Sequence, residues 1–138
     1  MKRLALALGV LCLILSSTAR ADDSAKPDND QSVALSTVAL PIVVNGHLVN
    51  YIFVGVKIWL TPRADAFALR DKEPYFRDAL VRAAHRTPFV LANDYNHVDE
   101  AKLDASLFHD AQAIVGPGLI QRVQVLSQTP QHNLSTPH

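Results

Sequence analysis

The segment VALPIVVNGHLVNYIFVGVKIWL, residues 38–60, decides the fold. Asn45 and Gly46 lie between two apolar runs, and this pair is the strongest short signal for a β-hairpin because both turn positions adopt positive φ. We therefore predict a strand over residues 38–44 and a long return strand over residues 47–61. Pro41 has no amide hydrogen to donate, so the first strand should lie at a sheet edge or at a bulge.

The return strand has two faces of different character, because successive side chains of a strand point to opposite sides. The face predicted to form the core carries Leu48, Asn50, Ile52, Val54, Val56, Ile58 and Leu60. The other face carries Val49, Tyr51, Phe53, Gly55, Lys57 and Trp59. Its aromatic side chains either form a second small core or an exposed interaction surface. The usual packing of such stripes favours the core.

The sequence predicts two helices after the hairpin. Asp71 is the expected N-cap of the first, which ends at Thr87-Pro88, and the second runs from about Asp99 to Val115 before Gly116-Pro117-Gly118. Residues 89–91 form a short strand or an extended link, and residues 119–126 form the last strand. The order ββαβαβ predicts a small two-layer α+β sandwich with two helices on one face of an antiparallel or mixed sheet. Its expected helical core residues are Phe76, Leu80, Ala83, Ala84, Leu103, Leu107, Ala111 and Ile114.

The N-terminus has the pattern of a secretory signal peptide. Lys2 and Arg3 precede an apolar run, and Ala19 and Ala21 supply the small residues of a cleavage site, so residues 1–21 are predicted to be removed. The alternative is a short membrane anchor, although residues 4–19 fall short of the about 20 apolar residues that span a bilayer. We expect an exported, periplasmic protein, or alternatively one anchored in the inner membrane and facing the periplasm.

Composition sets the remaining domain boundaries. Residues 22–32 and 128–138 are polar, and we predict a flexible linker and a disordered tail on either side of a domain over residues 33–127. The full chain has 13 basic and 13 acidic residues. Cleavage would remove Lys2, Arg3, Arg20 and the single cysteine, leaving 10 basic against 13 acidic residues, a net charge near −3. This balance argues against a nucleic-acid partner, whose electrostatic footprint is a basic patch.

The sequence offers little catalytic or metal-binding chemistry. The histidines His47, His85, His97, His109, His132 and His138 lack the close paired spacing typical of zinc sites. Asp94, Asp99, Glu100 and Asp104 cluster at a helix start, where acidic residues are electrostatically favoured in any case. Nucleophile elbows and glycine-rich phosphate loops are also missing from the sequence. We therefore expect a protein that is not an enzyme and that uses neither metal nor cofactor.

Four segments in order resemble the periplasmic domain of the flagellar basal-body-associated FliL family. They are the strand at residues 51–60, the helical stretch at residues 73–81, the helix at residues 99–115 and the strand at residues 119–126. Together they cover about residues 48–127. The resemblance implies a stomatin-like (SPFH-like) fold and a non-enzymatic role. It also implies a position at the inner membrane facing the periplasm, and assembly around the flagellar stator in support of motility.

The resemblance implies partners rather than substrates. Expected partners are further copies of the chain, in a homo-oligomer, and the flagellar stator or other inner-membrane envelope proteins. Arginine and aromatic side chains dominate binding energy at interfaces, so the candidate partner surface is Tyr51, Phe53, Trp59, Arg77 and Arg82. The alternative function is a soluble periplasmic binding or scaffold module of another envelope complex, without a role in motility.

Overall fold

The computed structural model describes residues 30–135. The predicted signal peptide with Ala19 and Ala21, most of the predicted linker and residues 136–138 lie outside the described residues. The described elements are β1 Ser32–Ala34, β2 Val38–Val44, β3 His47–Leu60, α1 Ala66–Arg70, α2 Glu73–Arg86, α3 Glu100–Val115 and β4 Ile120–Pro130. None of the helices within residues 30–135 has the length and apolar character needed to cross a membrane.

The predicted hairpin is confirmed. Asn45 and Gly46 have φ values of 51° and 76°, and Val44 pairs with His47 across the turn. These angles belong to a tight turn whose twist matches that of the flanking strands. A register shift between Ile42 and Val43 lies close to Pro41 on this edge strand, as the missing amide hydrogen predicted.

Gly46→Val is expected to destabilise the protein by about 1–3 kcal/mol, because a β-branched residue at positive φ is strained. A Cβ at this position meets no atom within 4 Å, so the loss should come from the backbone rather than from a clash. Thermal unfolding followed by circular dichroism measures the change. Gly46→Asn, which tolerates positive φ, is the control and should unfold close to the wild type. Equal melting temperatures for the valine variant and the wild type would contradict this assignment.

Strand β3 is the centre of a four-stranded antiparallel sheet. β1 and β2 pair with one edge of β3, with Val33 opposite Ile58 and Leu40 opposite Ile52, and β4 pairs with the other edge. β1 and β2 therefore act almost as one interrupted strand, and Leu35 continues the ladder by donating its N–H to the Val56 carbonyl. β1 begins at Ser32, so the predicted linker ends one residue earlier than expected.

The core lies between one face of the sheet and the helices. The alternating face of β3 predicted to be buried is buried from Asn50 to Leu60, whereas Leu48, beyond the β2 irregularity, is 51% exposed. Leu103, Leu107 and Ala111 are buried as expected, and Ile114 is only partly buried. The other buried helical side chains are Leu69, Phe76, Ala79, Leu80, Ala83 and Ala84. The burial pattern therefore confirms the period-2 and helical stripes except at their ends.

The predicted N-cap of α2 at Asp71 is wrong, because Asp71 follows the last residue of a short additional helix, α1. Asp65 is the N-cap of α1, because its carboxylate accepts hydrogen bonds from the N–H groups of Phe67 and Ala68. Lys72 precedes α2 without a side-chain cap, and Pro74 occupies the first turn, where a missing N–H costs nothing. Asp99 caps α3 as expected, accepting from the Lys102 N–H.

Of the two alternatives for residues 89–91, the structure has the extended link and not the strand. Val90 forms only an isolated bridge with Val98, and Phe89 instead packs into the core with 4% exposure. Pro88 and the turns that follow prevent a continuous ladder. The result is an α+β structure of three helices and four antiparallel strands within residues 30–135, and the detailed order ββαβαβ is not observed.

The predicted boundary at residue 127 is also wrong, because it falls inside β4. Gln128 and Thr129 pair with Val54 and Phe53, and the strand continues through Pro130. Beyond it, the Gln131 N–H donates to the Tyr51 carbonyl. This stretch has polar side chains but regular backbone pairing, which composition does not register.

Candidate interaction surface

The face of the sheet turned away from the helices is the surface on which most predicted site residues meet. Trp59 lies opposite Arg122, Lys57 opposite Gln124, and Phe53 opposite both Ala39 and Thr129. We call this surface the outer sheet face. It comprises Ala34, Ala39, Tyr51, Phe53, Gly55, Lys57, Trp59, Arg122, Gln124, Ser127 and Thr129.

The aromatic side chains of this face do not form the second core that packing statistics favoured. Phe53 is 42% exposed, whereas Tyr51 and Trp59 are half-buried. The residues that flank these three aromatic residues are buried on the opposite side of the sheet. The alternative of an exposed surface therefore describes this face better.

Trp59 lies at the centre of a cluster of cationic and amide side chains. The Lys57 Nζ atom lies 4.9 Å from the centroid of the indole ring, and the Arg122 Cζ atom lies 4.5 Å from it. Both distances fall within the range of cation–π attraction. The Trp59 Nε1 group donates to the Gln124 Oε1 atom at 2.9 Å, and the Arg122 Nη1 group donates to the same oxygen at 3.1 Å. One amide oxygen thus fixes both the indole and the guanidinium.

Gly55 leaves room for the Ser127 side chain on the paired strand β4. A Cβ atom at Gly55 would lie 2.6 Å from the Ser127 hydroxyl oxygen but 4.0 Å from the Ser127 backbone nitrogen, so a larger residue would require only that hydroxyl to rotate away. The register shift between Gly55 and Val56 occurs at the same place. Sequence patterning identified the glycine as part of the face but gave no sign of this contact, because Ser127 belongs to a distant strand.

The outer sheet face carries positive charge without compensating negative charge. None of the four strands contains Asp or Glu, and all acidic residues of the described chain lie in helices or loops. Within residues 30–135, Lys57 and Arg122 form no ion pair; the pairs present there join Arg82 to Asp78, His97 to Asp94, Lys102 to Asp99 and His109 to Asp110. The face is therefore cationic and aromatic.

Arg77 and Arg82 do not share this surface. They are exposed on α2, which packs on the inner side of the sheet, so they lie on the opposite side of the two-layer structure from Trp59. Arg82 also forms an i,i+4 ion pair with Asp78 at 2.8 Å. The five predicted site residues consequently divide into two surfaces, and the aromatic three belong with Lys57 and Arg122.

Sequence analysis missed a polar anchor at Asn50, which is 2% exposed. Its Nδ2 group donates to the Tyr95 carbonyl at 3.0 Å and to the His132 carbonyl at 2.8 Å. Its Oδ1 atom accepts from the N–H groups of Tyr51 and His132 at 2.9 and 3.2 Å. The amide therefore makes all four hydrogen bonds that its chemistry permits. It joins β3, the loop before α3 and the residues after β4.

A second asparagine extends this anchor. Asn96 donates to the Leu134 carbonyl and accepts from the Leu134 N–H, both at 2.8 Å. Two side-chain amides thus hold the backbone of residues 131–135 against the loop and β3. A polar residue on a predicted core face, as at Asn50, was the one available signal of such an anchor.

The acidic stretch before and within α3 has structural contacts. The backbone N–H of Asn96 and the neighbouring His97 lower the pKa of Asp94, whose Oδ2 atom lies 2.6 Å from His97 Nδ1. Burial raises the pKa of Asp104, and the nearby Glu100 carboxylate raises it further. Within residues 30–135, no group of three His, Cys, Asp or Glu side chains is placed to hold a metal ion.

Comparison of the chain with protein-family models, with curated proteins and with solved structures finds no significant match.

Proposed function

We propose that this protein is a non-enzymatic periplasmic accessory protein that acts by contact, similar in role to the FliL family. The outer sheet face is the observation that carries the proposal. It presents Trp59, Phe53 and Arg122 on one side of a regular sheet, and tryptophan, tyrosine and arginine are the residue types that supply most binding energy at protein interfaces.

The rigidity of this surface supports the same proposal. Its aromatic residues lie on β3, the longest strand, which pairs with the other three strands and is fixed from behind by the core. A surface held in its binding conformation loses little conformational entropy on association. Lys57 and Arg122 further restrict Trp59, so its indole ring is presented in one orientation.

The proposed partner is the flagellar stator or another inner-membrane envelope machine, and the proposed location follows the signal-peptide pattern ending at Ala21. Both rest on sequence: the order of segments that resembles the FliL family, and the Ala19-x-Ala21 cleavage pattern. Residues 51–60, the strand quoted for the resemblance, supply the aromatic residues and Lys57 of the outer sheet face. The surface and the resemblance therefore concern the same part of the chain.

A deletion strain tests the proposal through swimming speed and stator occupancy under viscous load. Loss of the protein should reduce both, and the wild-type gene should restore them. Phe53→Ala should restore them poorly, because it removes an exposed ring from the outer sheet face. Phe67→Ala is the matched control, since Phe67 is 77% exposed on α1, in the helical layer.

Normal motility of the deletion strain at every load would reject the flagellar role and leave a periplasmic binding or scaffold module of another envelope complex. Equal restoration by Phe53→Ala and Phe67→Ala would reject the outer sheet face as the contact surface. Fractionation of the complemented strain, followed by N-terminal sequencing, should give a periplasmic protein beginning at Asp22. An intact Met1 in the membrane pellet would support the anchored alternative.

A further inference from the structure

We propose that the outer sheet face recognises an acidic segment of a partner protein, with carboxylates binding Lys57 and Arg122 and apolar side chains packing on Trp59 and Phe53. The inference rests on the proposed function in assuming that this face is a contact surface. It adds the chemistry of the partner, which neither the sequence pattern nor the resemblance supplied.

Charge complementarity is the first argument. Lys57 and Arg122 flank one indole ring, and the four strands contain no acidic residue to neutralise them. The ion pairs found within residues 30–135 all lie in the helices and loops, away from this face. Two cations left without a carboxylate beside exposed aromatic surface favour a partner that brings its own carboxylates.

The hydrogen bonds of Arg122 are the second argument. A guanidinium has five N–H groups, and Gln124 accepts from Nη1 alone in this cluster. The interaction with Gln124 and the indole ring fixes the plane of the guanidinium while leaving other N–H groups available. Such a group can bind a carboxylate through two parallel hydrogen bonds, which adds geometric selection to the charge attraction.

The number of cations favours a protein over a membrane or a nucleic acid. Stable binding to anionic lipid requires a cluster of several basic residues near the surface, so two residues provide weak attachment. The Trp59 Nε1 group is already bonded to Gln124, and its ring is half-buried rather than free to insert. A nucleic acid would require an extended basic track. Two localised cations beside apolar side chains instead fit one or two carboxylates spaced along a peptide.

Tryptophan fluorescence provides a direct measurement, because Trp59 is the single tryptophan of the chain. The probe is a capped peptide of alternating glutamate and leucine, carrying an N-terminal dye so that anisotropy gives an independent readout. We expect saturable binding with a change in Trp59 emission. The same peptide with glutamine replacing every glutamate should bind at least tenfold more weakly. Binding should also weaken in about 1 M salt, where the Debye length falls to about 3 Å.

Two double variants distinguish a loss of binding caused by this site from one caused by the change in net charge. Lys57→Gln with Arg122→Gln should weaken peptide binding at least tenfold by anisotropy. Arg77→Gln with Arg82→Gln removes the same charge from the opposite layer and should leave affinity within twofold. Circular dichroism should show that both double variants are folded. If Lys57→Gln with Arg122→Gln is unstable, Arg122→Lys takes its place. This variant retains the charge but not the paired donors, so its affinity for the peptide should be intermediate.

Several results would overturn the proposal. They are equal binding of the glutamine peptide, equal losses in the two double variants, and binding to phosphatidylglycerol vesicles without binding to the peptide. Failure of the proposed function would look different. If the peptide binds at the outer sheet face but the deletion strain swims normally, the flagellar role is rejected. Recognition of an acidic segment is then retained.

Discussion

Replacement of Asn50 by alanine is expected to lower the free energy of unfolding by about 3–5 kcal/mol. The side chain is 2% exposed and bonds four backbone groups from three parts of the chain. Alanine would remove the amide and leave those groups without their partners. A buried donor or acceptor without a partner costs about 1–3 kcal/mol. Water can reach some of the four groups, so the total loss should be smaller than the sum of four such costs.

Asn50→Asp distinguishes hydrogen bonding from packing, since the two side chains have nearly the same shape. The carboxylate would place an oxygen where Nδ2 now donates to the carbonyls of Tyr95 and His132. Oxygen facing oxygen is repulsive, so at neutral pH the aspartate variant should be at least as unstable as the alanine variant. Loss of packing alone would leave the aspartate variant close to the wild type.

Urea unfolding followed by circular dichroism gives these free energies, and Asn96→Ala is the matched control. Asn96 also bonds one backbone residue through both atoms of its amide, but it is only half-buried, so its loss should cost about 1–2 kcal/mol. Hydrogen exchange at residues 131–135 should increase in both variants. A loss under about 1 kcal/mol for Asn50→Ala would show that water replaces the amide without penalty.

The hairpin and the buried face of β3 were predictable because their signals are local. A turn needs only Asn45 and Gly46, and a strand with one covered face alternates every second residue. The same logic placed Asn50 on the core face but could not assign its role, because its partner His132 is 82 residues away. Asp71 was misassigned for a related reason: the Asp65 cap begins α1 six residues earlier, and both aspartates have equal local propensity.

Composition misjudged the residues after 127 because it weighs side chains and not backbone hydrogen bonds. Gln128 and Thr129 are polar, but their backbones continue the ladder with β3, and Asn50 and Asn96 hold the residues beyond. The candidate site was half predictable. Tyr51, Phe53 and Trp59 follow from the alternation of β3, whereas the contribution of Arg122 depends on the pairing of β3 with β4.

Leu107→Ala should lower the free energy of unfolding by about 2–5 kcal/mol, the range for buried leucines whose surroundings cannot collapse. Leu107 is 0% exposed near the middle of α3, between Leu103 and Ala111 on the stripe that faces the core. The elements packed against α3 are β4 and α2, and the pairing of β4 with β3 limits movement into the space left by the missing atoms. Little collapse should therefore occur, and the effect should lie in the upper half of the range.

Leu48→Ala makes the same chemical change at a residue that is 51% exposed, so the difference between the two variants isolates burial. The control should change the free energy of unfolding by about 0.5 kcal/mol or less, as surface substitutions usually do. Urea unfolding measures both. A loss under about 0.5 kcal/mol for Leu107→Ala would place this face of α3 in solvent and contradict the two-layer packing. Because that packing leaves only one face of the sheet free, the same result would also remove the basis for the outer sheet face as a contact surface.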